Sequence, residues 1–302
     1  IFLICFLFQN TYSQQNTSGW YWVDGQPQSQ TLYWAKIIDA THYYAVGEQG
    51  VFMKSSDGGD SWIINSQAGV TDPSFGSGAT FRLNTGWFFN ANTGYVAGQS
   101  VSGDGGYIRR TTDGGDTFSD IALGGSTGVP IVRDIYFINA NTGFLSGNNT
   151  IKAMKTTDGG LSWTELPNLP GTAYDYSCVY AKDANNIFLG VASAGIYRRV
   201  VRTTNGGSSW SEDDLPGSTI VDFKDIQFQN ANTGFISGNS VLGNAAYVAY
   251  TTNGGSSWIQ AVFPNPNRGL YTLQVIGSTV YAGCSDYAYY YSSNLGVTWD
   301  SV

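Results

Sequence analysis

Short apolar runs separated by polar turns rich in Asn, Asp and Gly recur along this chain. Near the middle of the sequence, four such runs follow one another at Ile131–Ile138, Gly143–Gly147, Ile151–Thr156 and Ser162–Leu166. Runs of this length bounded by turn residues predict β-strands. We find no apolar stretch of useful length with the period of a helix. The pattern therefore predicts an all-β chain in which a group of four strands, a to d, is repeated.

The turn between strands c and d carries a phrase that occurs six times: Ser/Thr, any residue, Asp or Asn, Gly, Gly, any residue, Ser/Thr, Trp. The third positions are 56, 45, 47, 48 and 41 residues apart, at Asp57, Asp113, Asp158, Asn205, Asn253 and Asn294. We expect this Asp or Asn side chain to accept backbone N–H groups of the turn. The final Trp should begin strand d and pack back over the hairpin, at Trp62, Trp163, Trp210, Trp258 and Trp299. Phe118 replaces the Trp of the second copy and Leu295 a Gly of the sixth, so we expect these two turns to be the least regular.

A second phrase marks the turn between strands a and b, as in Asn139-Ala-Asn-Thr-Gly143. Asn-Thr-Gly between two apolar runs predicts a tight hairpin, because Asn and Gly accept positive φ at little cost. Four antiparallel strands in each repeat of about 45 residues are typical of a β-propeller, whereas a β-helix has much shorter repeats. The ring has six blades, or seven if Trp20–Val23 is strand d of a blade whose other strands lie beyond Val302.

Composition excludes several classes of protein. With 12% charged and 15% aromatic residues the chain is not disordered, and its net charge of −8 argues against nucleic acid or an anionic membrane surface as partner. Cys5, Cys178 and Cys284 show no metal-binding spacing, so we expect no metal and no cofactor. We expect Cys178 and Cys284 to be buried thiols.

The first 13 residues combine an apolar run, Ile1–Phe8, with a polar stretch that has a small residue at Ser13. This is typical of the tail of a secretory signal, and the run is too short to span a bilayer. The alternative interpretation is that the apolar run forms a buried strand. The interpretation is a signal over 1–13, an N-terminal segment with a possible ring-closing strand over 14–30, a propeller over 31–302, and export to the periplasm, cell surface or medium.

The two phrases together resemble those of the photosystem II assembly/stability factor-like repeat family, within the wider Asp-box, or bacterial neuraminidase repeat, propellers. The resemblance runs from about Tyr33 to Trp299 and implies the fold strongly but the function weakly. Sialidases of this superfamily carry Phe-Arg-Ile-Pro before the first Asp-box. Here the nearest string, Phe81-Arg82-Leu83-Asn84, lacks the Pro and follows the first copy.

The candidate catalytic residues are few. Asp134 and Asp225 occupy equivalent positions on strand a of two units and could form the carboxylate pair of a glycosidase. Each follows a basic residue, so a structural ion pair or a turn cap is the other interpretation. His42 is the single histidine and lies in an a–b turn, which argues against a Ser/His/Asp triad.

The loops that join d to a and b to c vary most, and loops carry binding, so their face is the predicted partner surface. They include Asn65–Thr80, Gln99–Gly106, Val191–Gly195 and Asn239–Ala246. The candidate partner-binding residues beside them are Arg109, Arg198, Arg199, Tyr107 and Tyr197. The sequence thus predicts an exported, non-enzymatic scaffold that binds a protein, with a carbohydrate-binding or sialidase-like glycoside hydrolase propeller as the alternative.

Overall fold

The computed structural model describes residues 31–65, 81–100, 106–123, 131–148, 151–171, 174–192, 199–217, 221–240, 245–263, 269–284, 289–294 and 296–301. Within these ranges the chain forms 24 β-strands and no helix. The strands make six sheets, each of four antiparallel strands in chain order. The fold is a six-bladed β-propeller, which confirms the predicted fold class. The predicted N-terminal signal and Trp20–Val23 lie outside the described residues.

Blades 1 and 2 belong to a compact unit within residues 1–123. Their strands are β1 (Leu32–Ile37), β2 (Tyr43–Gly47), β3 (Phe52–Ser55), β4 (Ile63–Asn65), β5 (Phe81–Phe88), β6 (Gly94–Ser100), β7 (Gly106–Thr111) and β8 (Ser119–Ile121). Aromatic side chains fill the space between the two blades. Tyr44 stacks on Phe88 with ring centroids 3.9 Å apart, and Phe52 packs against both rings.

Blades 3 to 6 belong to a second unit within residues 124–302. Blades 3 and 4 consist of β9 (Val132–Phe137), β10 (Gly143–Gly147), β11 (Ala153–Thr156), β12 (Thr164–Glu165), β13 (Asp175–Ala181), β14 (Ile187–Ala192), β15 (Arg199–Thr203) and β16 (Ser211–Asp214). Blades 5 and 6 consist of β17 (Val221–Phe228), β18 (Gly234–Ser240), β19 (Ala246–Thr251), β20 (Ile259–Gln260), β21 (Leu270–Ile276), β22 (Thr279–Cys284), β23 (Tyr289–Ser292) and β24 (Asp300–Ser301).

Each seam between successive blades of this second unit is an apolar cluster. Phe144 and Tyr176 lie in the cluster between blades 3 and 4, Phe188 and Phe223 in the one between blades 4 and 5, and Phe235 and Leu273 in the one between blades 5 and 6. Full burial of one such side chain contributes about 1.5–3 kcal/mol. Most of the buried apolar side chains of this unit lie in these three clusters.

The outermost strand d is shorter than the sequence predicts. In blade 3 the predicted strand Ser162–Leu166 is reduced to Thr164–Glu165. Trp163 instead leaves the strand and packs over the hairpin, where its Nε1 donates to the Gly160 carbonyl at 3.1 Å. Among the other tryptophans of the phrase, Trp258 and Trp299 are buried, whereas Trp62 and Trp210 are half-buried. Very short outer strands also limit edge-to-edge pairing with other chains.

The c–d turn has the predicted hydrogen bonds in every copy. In the third copy Asp158 Oδ1 accepts the N–H of Ser162, and Asp158 Oδ2 accepts the Ser162 hydroxyl. Where the residue is Asn, the hydroxyl bond runs the other way, and Asn205 Nδ2 donates to Ser209 Oγ at 2.9 Å. The donors to Asp158, the Ser162 hydroxyl above all, lower the pKa of this carboxyl group to about 2.

The prediction that the second and sixth c–d turns are the least regular is wrong for these hydrogen bonds. Asp113 accepts the N–H of Thr117 at 2.9 Å, and Asn294 accepts that of Thr298 at 2.9 Å, as in the other copies. The bonds involve the first, third and seventh positions of the phrase, so replacing the Trp leaves them unchanged. Leu295 itself lies outside the described part of the chain.

The reason that the sequence suggested for Gly in the a–b turn is also wrong. Gly94, Gly143 and Gly234 do not have positive φ. A Cβ at Gly143 would lie 2.5 Å from the Phe137 ring, so the glycine permits close packing of that ring. The turn is instead closed by Asn139, whose Oδ1 accepts the N–H groups of the second and third residues after it.

Candidate functional site at the start of the innermost strands

Strand a, the innermost strand of a propeller blade, contains one extra residue relative to strand b in each blade. The extra residues are Tyr33, Asn84, Arg133, Ser177, Lys224 and Tyr271. A β-bulge of this kind bends the strand and redirects its side chains, and bulges are common beside functional sites. These bulges lie near the beginning of strand a, so they lie on the face of the propeller that carries the d–a and b–c loops.

The glycine that ends strand b makes room for the bulge. A Cβ at Gly98 would lie 1.8 Å from the carbonyl oxygen of Arg82, and one at Gly147 would lie 2.2 Å from that of Ile131. Neither approach is compatible with a side chain. The repeated Gly at the end of the second phrase is therefore the sequence signal for the bulge.

In the second unit two of the bulge residues, Arg133 and Lys224, are charged and paired. Arg133 Nη2 lies 2.9 Å from Asp175 Oδ2, which joins blades 3 and 4, and Lys224 Nζ lies 2.5 Å from Asp222 Oδ2 on the same strand. The four side chains are between 30% and 34% exposed. Ion pairs with this much solvent contact contribute at most about 1 kcal/mol, so an incoming partner can displace them at small cost. Arg133 Nε has no hydrogen-bond acceptor within the described residues.

The first unit has its own polar cluster at the same level of strand a. The Tyr33 hydroxyl donates to Glu48 Oε1 at 2.5 Å, and Arg82 Nη2 lies 3.5 Å from the same oxygen. The Arg82 guanidinium also lies over the Tyr33 ring, 5.0 Å from its centroid. Tyr33 is 38% exposed, so its aromatic face remains accessible to solvent beside this pair.

A second layer follows directly after the bulges. Asp134, Cys178 and Asp225 occupy the same position in blades 3, 4 and 5. Asp134 Oδ1 accepts the N–H of the next residue in its own strand, and Oδ2 accepts the N–H of Val179 in blade 4 at 3.0 Å. Asp134 therefore joins two blades, which is neither the ion pair nor the turn cap that the sequence suggested.

Asp225 makes the equivalent contacts between blades 5 and 6. It accepts hydrogen bonds from Gln227 Nε2 at 3.0 Å and from the backbone N–H of Leu273. Burial, and then the negative charge of Asp134, raises the pKa of Asp225 to about 7 in spite of these donors. The same surroundings raise the pKa of the Cys178 thiol, which is fully buried. The innermost strands of this unit thus carry two carboxyl groups, and burial and charge raise the pKa of one of them, Asp225.

The partner-binding residues predicted from sequence lie further out, on strand c. Arg109 Nε is 2.6 Å from Asp120 Oδ1, and the ring of the buried Tyr107 lies beside the same guanidinium. Arg199 pairs with Asp214 Oδ1 at 2.8 Å and also contacts Glu212. Both arginines therefore have acidic partners on strand d of their own blade, and binding by them stays a prediction.

Arg198 and Tyr197 lie outside the described residues, as do segments 66–80, 101–105, 193–198 and 241–244, which make up most of the predicted variable loops. In the part of the chain that is described, no group of three or more His, Cys, Asp or Glu side chains could hold a metal ion. Cys178 and Cys284 are free thiols, one buried and one half-buried. No helix in the described ranges is long and apolar enough to cross a membrane.

Comparisons with known proteins agree with this architecture. No family model and no curated protein matches the sequence. A solved structure of YCF48 bound to D1 peptide is similar over 91% of this chain and 81% of that one, with 18% identity and a TM-score of 0.66. YCF48 from Cyanidioschyzon merolae is 16% identical over 92% and 87% of the two chains, with a TM-score of 0.65.

The Niastella koreensis GH74 enzyme is also similar. It is 16% identical over 89% of this chain, with a TM-score of 0.60, and this chain covers 46% of its length. At such identities the likeness extends to the fold alone. The chain is therefore similar in fold both to YCF48 and to about half of a GH74 enzyme.

Proposed function

We propose that this protein is a non-enzymatic scaffold of the Asp-box propeller superfamily, which binds a protein partner on the face where the innermost strands begin. The observation that carries the proposal is the set of charged and aromatic bulge side chains, above all Arg133 and Lys224. They are about one third exposed and are held by weak pairs that a partner can replace. A polar rim of this kind suits a protein segment with mixed charge.

Two further observations support a binding role. The similar YCF48 structure contains a bound D1 peptide, so a propeller of this shape can bind a polypeptide. In addition, Asp134 is occupied by backbone N–H groups of two blades, which leaves it poorly placed to act on a substrate. The prediction that Arg109, Arg198 and Arg199 form the partner site enters the proposal as a second set of residues, to be tested separately.

Export is part of the proposal. It rests on the apolar run Ile1–Phe8 followed by a polar stretch with a small residue at Ser13. Fusion of the native gene, from its start codon through residue 30, to a phosphatase that is active only outside the cytoplasm tests it. Phosphatase activity is expected, and an inactive cytoplasmic fusion would remove this part of the proposal.

Site-specific photocrosslinking tests the partner surface. Benzoylphenylalanine in place of Ser177, the half-buried bulge residue of blade 4, should capture a protein in the native host. The matched control is Ile259, which is 50% exposed on the outermost strand of blade 5. Capture should weaken with Arg133→Gln and Lys224→Gln. Equal capture from positions 177 and 259, or none from position 177, contradicts the proposed surface. Unchanged capture after charge reversal of Arg109, Arg198 and Arg199 removes those residues from the site.

A carbohydrate-active propeller is the second candidate, and one observation favours it. A carboxyl group with pKa raised to about 7, coupled to a second carboxylate, is typical of the acid in a glycosidase pair. A glycan array and a panel of chromogenic glycosides distinguish the two functions. Turnover that is abolished by Asp225→Asn would replace the scaffold proposal by this one.

A further inference from the structure

The seam between blades 5 and 6 is held by polar side chains of strand β17 that bind the backbone of strand β21. Asp225 accepts the N–H of Leu273. Gln227 donates to the Leu273 carbonyl at 2.7 Å and accepts the N–H of Val275 at 3.1 Å. The two side chains thus satisfy the edge of β21 as a neighbouring strand would. The strength of this seam depends on whether Asp225 carries a proton.

A buried hydroxyl beside Asp225 lacks a hydrogen-bond partner. Ser237 is paired directly with Asp225 across strands β17 and β18, is fully buried, and its Oγ has no partner in the described structure. Directly paired residues have Cβ atoms about 4.5–5.5 Å apart, so the two side chains can meet after a rotation. An unsatisfied buried hydroxyl costs free energy, which a hydrogen bond between Ser237 and Asp225 would recover.

Burial and the charge of Asp134 disfavour the negative charge of Asp225 more strongly than the hydrogen bonds from Gln227, Leu273 and Ile226 favour it. Asp134 faces it from β9, while the Tyr136 hydroxyl and the Cys178 thiol lie in the same electrostatic environment. On β17 itself, Lys224 is engaged by Asp222. Strand β18 offers Ser237, and β21 offers the backbone at Leu273. An ionised Asp225 is therefore opposed by a like charge and by burial, whereas a neutral one is opposed by neither.

We propose that Asp225 binds and releases a proton in the folded protein, and that this proton, held between Asp225 and Ser237, locks the seam between blades 5 and 6. In the locked form the Asp225 hydroxyl donates to Ser237 Oγ while its carbonyl oxygen accepts the Leu273 N–H. Release of the proton to solvent leaves two carboxylates facing one another, at Asp134 and Asp225. States in which β21 moves away from β17, and Asp225 becomes hydrated, are then favoured.

Hydrogen exchange measured as a function of pH tests the lock. After correction for intrinsic exchange rates, the amides of Leu270–Ile276 should exchange on the order of tenfold faster at pH 8 than at pH 5.5. The reason is that the native state loses its proton between these pH values, whereas the opened state has already lost it at pH 5.5. Asp225→Asn should abolish this pH dependence. Asp222→Asn, on the same strand but paired with Lys224, is the control and should retain it.

Two further variants keep the proposal falsifiable if Asp225→Asn does not fold. Ser237→Ala removes the acceptor of the proton, and Asp134→Asn removes the like charge, so each should move the midpoint of the transition to lower pH. Ser146→Ala, the equivalent buried serine beside Asp134, should leave the midpoint at the blade 5–6 seam in place. Exchange in β21 that is independent of pH in the unmodified protein, or a midpoint unmoved by both Ser237→Ala and Asp134→Asn, overturns the proposal.

Discussion

Gly159 donates its backbone N–H to the carbonyl oxygen of Asn141 at 2.8 Å. This bond joins the c–d turn of blade 3 to the a–b turn of the same blade, so the two repeated phrases of the sequence are in contact. The same bond occurs in blades 1, 2, 4 and 5, between Gly58 and Thr41, Gly114 and Asn92, Gly206 and Asn185, and Gly254 and Asn232. The phrases therefore recur together because each supplies the hydrogen-bond partner of the other.

The bulge in strand a depends on the glycine opposite it. We expect Gly98→Ala to destabilise the protein by about 3 kcal/mol or to prevent folding, because a Cβ there would overlap the Arg82 carbonyl. Urea denaturation of purified protein measures the effect. Gly277→Ala is the control, since that glycine has positive φ but no atom within 4 Å of a Cβ. A loss no greater than that of the control contradicts the steric account.

Asp and Asn should be interchangeable in the c–d turn. We expect Asp158→Asn to change the melting temperature at pH 7 by about 1 °C or less, because Asn205 makes the same backbone contact and reverses only the hydroxyl bond. Asp158→Ala loses the acceptor and should lower it by about 2–4 °C. Differential scanning calorimetry gives both values, and equal effects of the two substitutions would show that the acceptor does not matter.

The acidic turns also predict how stability changes at low pH. The pKa values of Asp57 and Asp158 are about 2 in the folded protein, below their ordinary value, because hydroxyl and backbone donors favour the charged form. Their contribution is therefore complete above pH 4 and is lost as the pH falls toward 2. The double variant Asp57→Asn/Asp158→Asn should lose less stability between pH 4 and pH 2. Identical acid profiles for the two proteins would contradict this.

Lys182 joins blade 4 to blade 5. Its Nζ donates to the carbonyl oxygens of Ala231 and Gly254 and lies 4.0 Å from the centroid of the Phe228 ring. We expect Lys182→Ala to cost about 2 kcal/mol, because two carbonyl groups and a ring lose a cationic partner. Lys152→Ala, which breaks only a solvent-exposed pair with Glu165, should cost less than about 1 kcal/mol. Denaturant titration that ranks the two variants in the opposite order excludes the inter-blade role.

The two described thiols should differ in reactivity. Burial and the charges of Asp134 and Asp225 raise the pKa of Cys178, whereas Cys284 is half-buried. Since thiolates react and thiols do not, a chromogenic disulfide reagent should label Cys284 much faster in the native protein. The assay uses a Cys5→Ser background, in which Cys284→Ser should remove the fast phase and Cys178→Ser should leave it. A fast phase that follows Cys178 instead would contradict its burial.

Local features of the fold could be predicted from the sequence, and features that join distant segments could not. The turns around Asp158 and Asn139 were predicted because each side chain binds backbone within four residues of itself. The raised pKa of Asp225 was not predicted, because it arises from burial in the folded protein and from the charge of Asp134 on another blade. The bulges were missed for a different reason, since their signal at Gly98 and Gly147 was interpreted as part of a hairpin phrase.

In the c–d turn the hydroxyl can act as donor or as acceptor, so the charge of the turn can change while its backbone conformation stays the same. Asp158 receives a hydrogen bond from Ser162, and Asn205 gives one to Ser209, yet the backbone contact is the same in both blades. A single-nucleotide change between Asp and Asn codons can therefore add or remove one negative charge on any blade while the frame stays fixed. Mutation can thus change the surface charge of the protein one blade at a time, without passing through a destabilised variant.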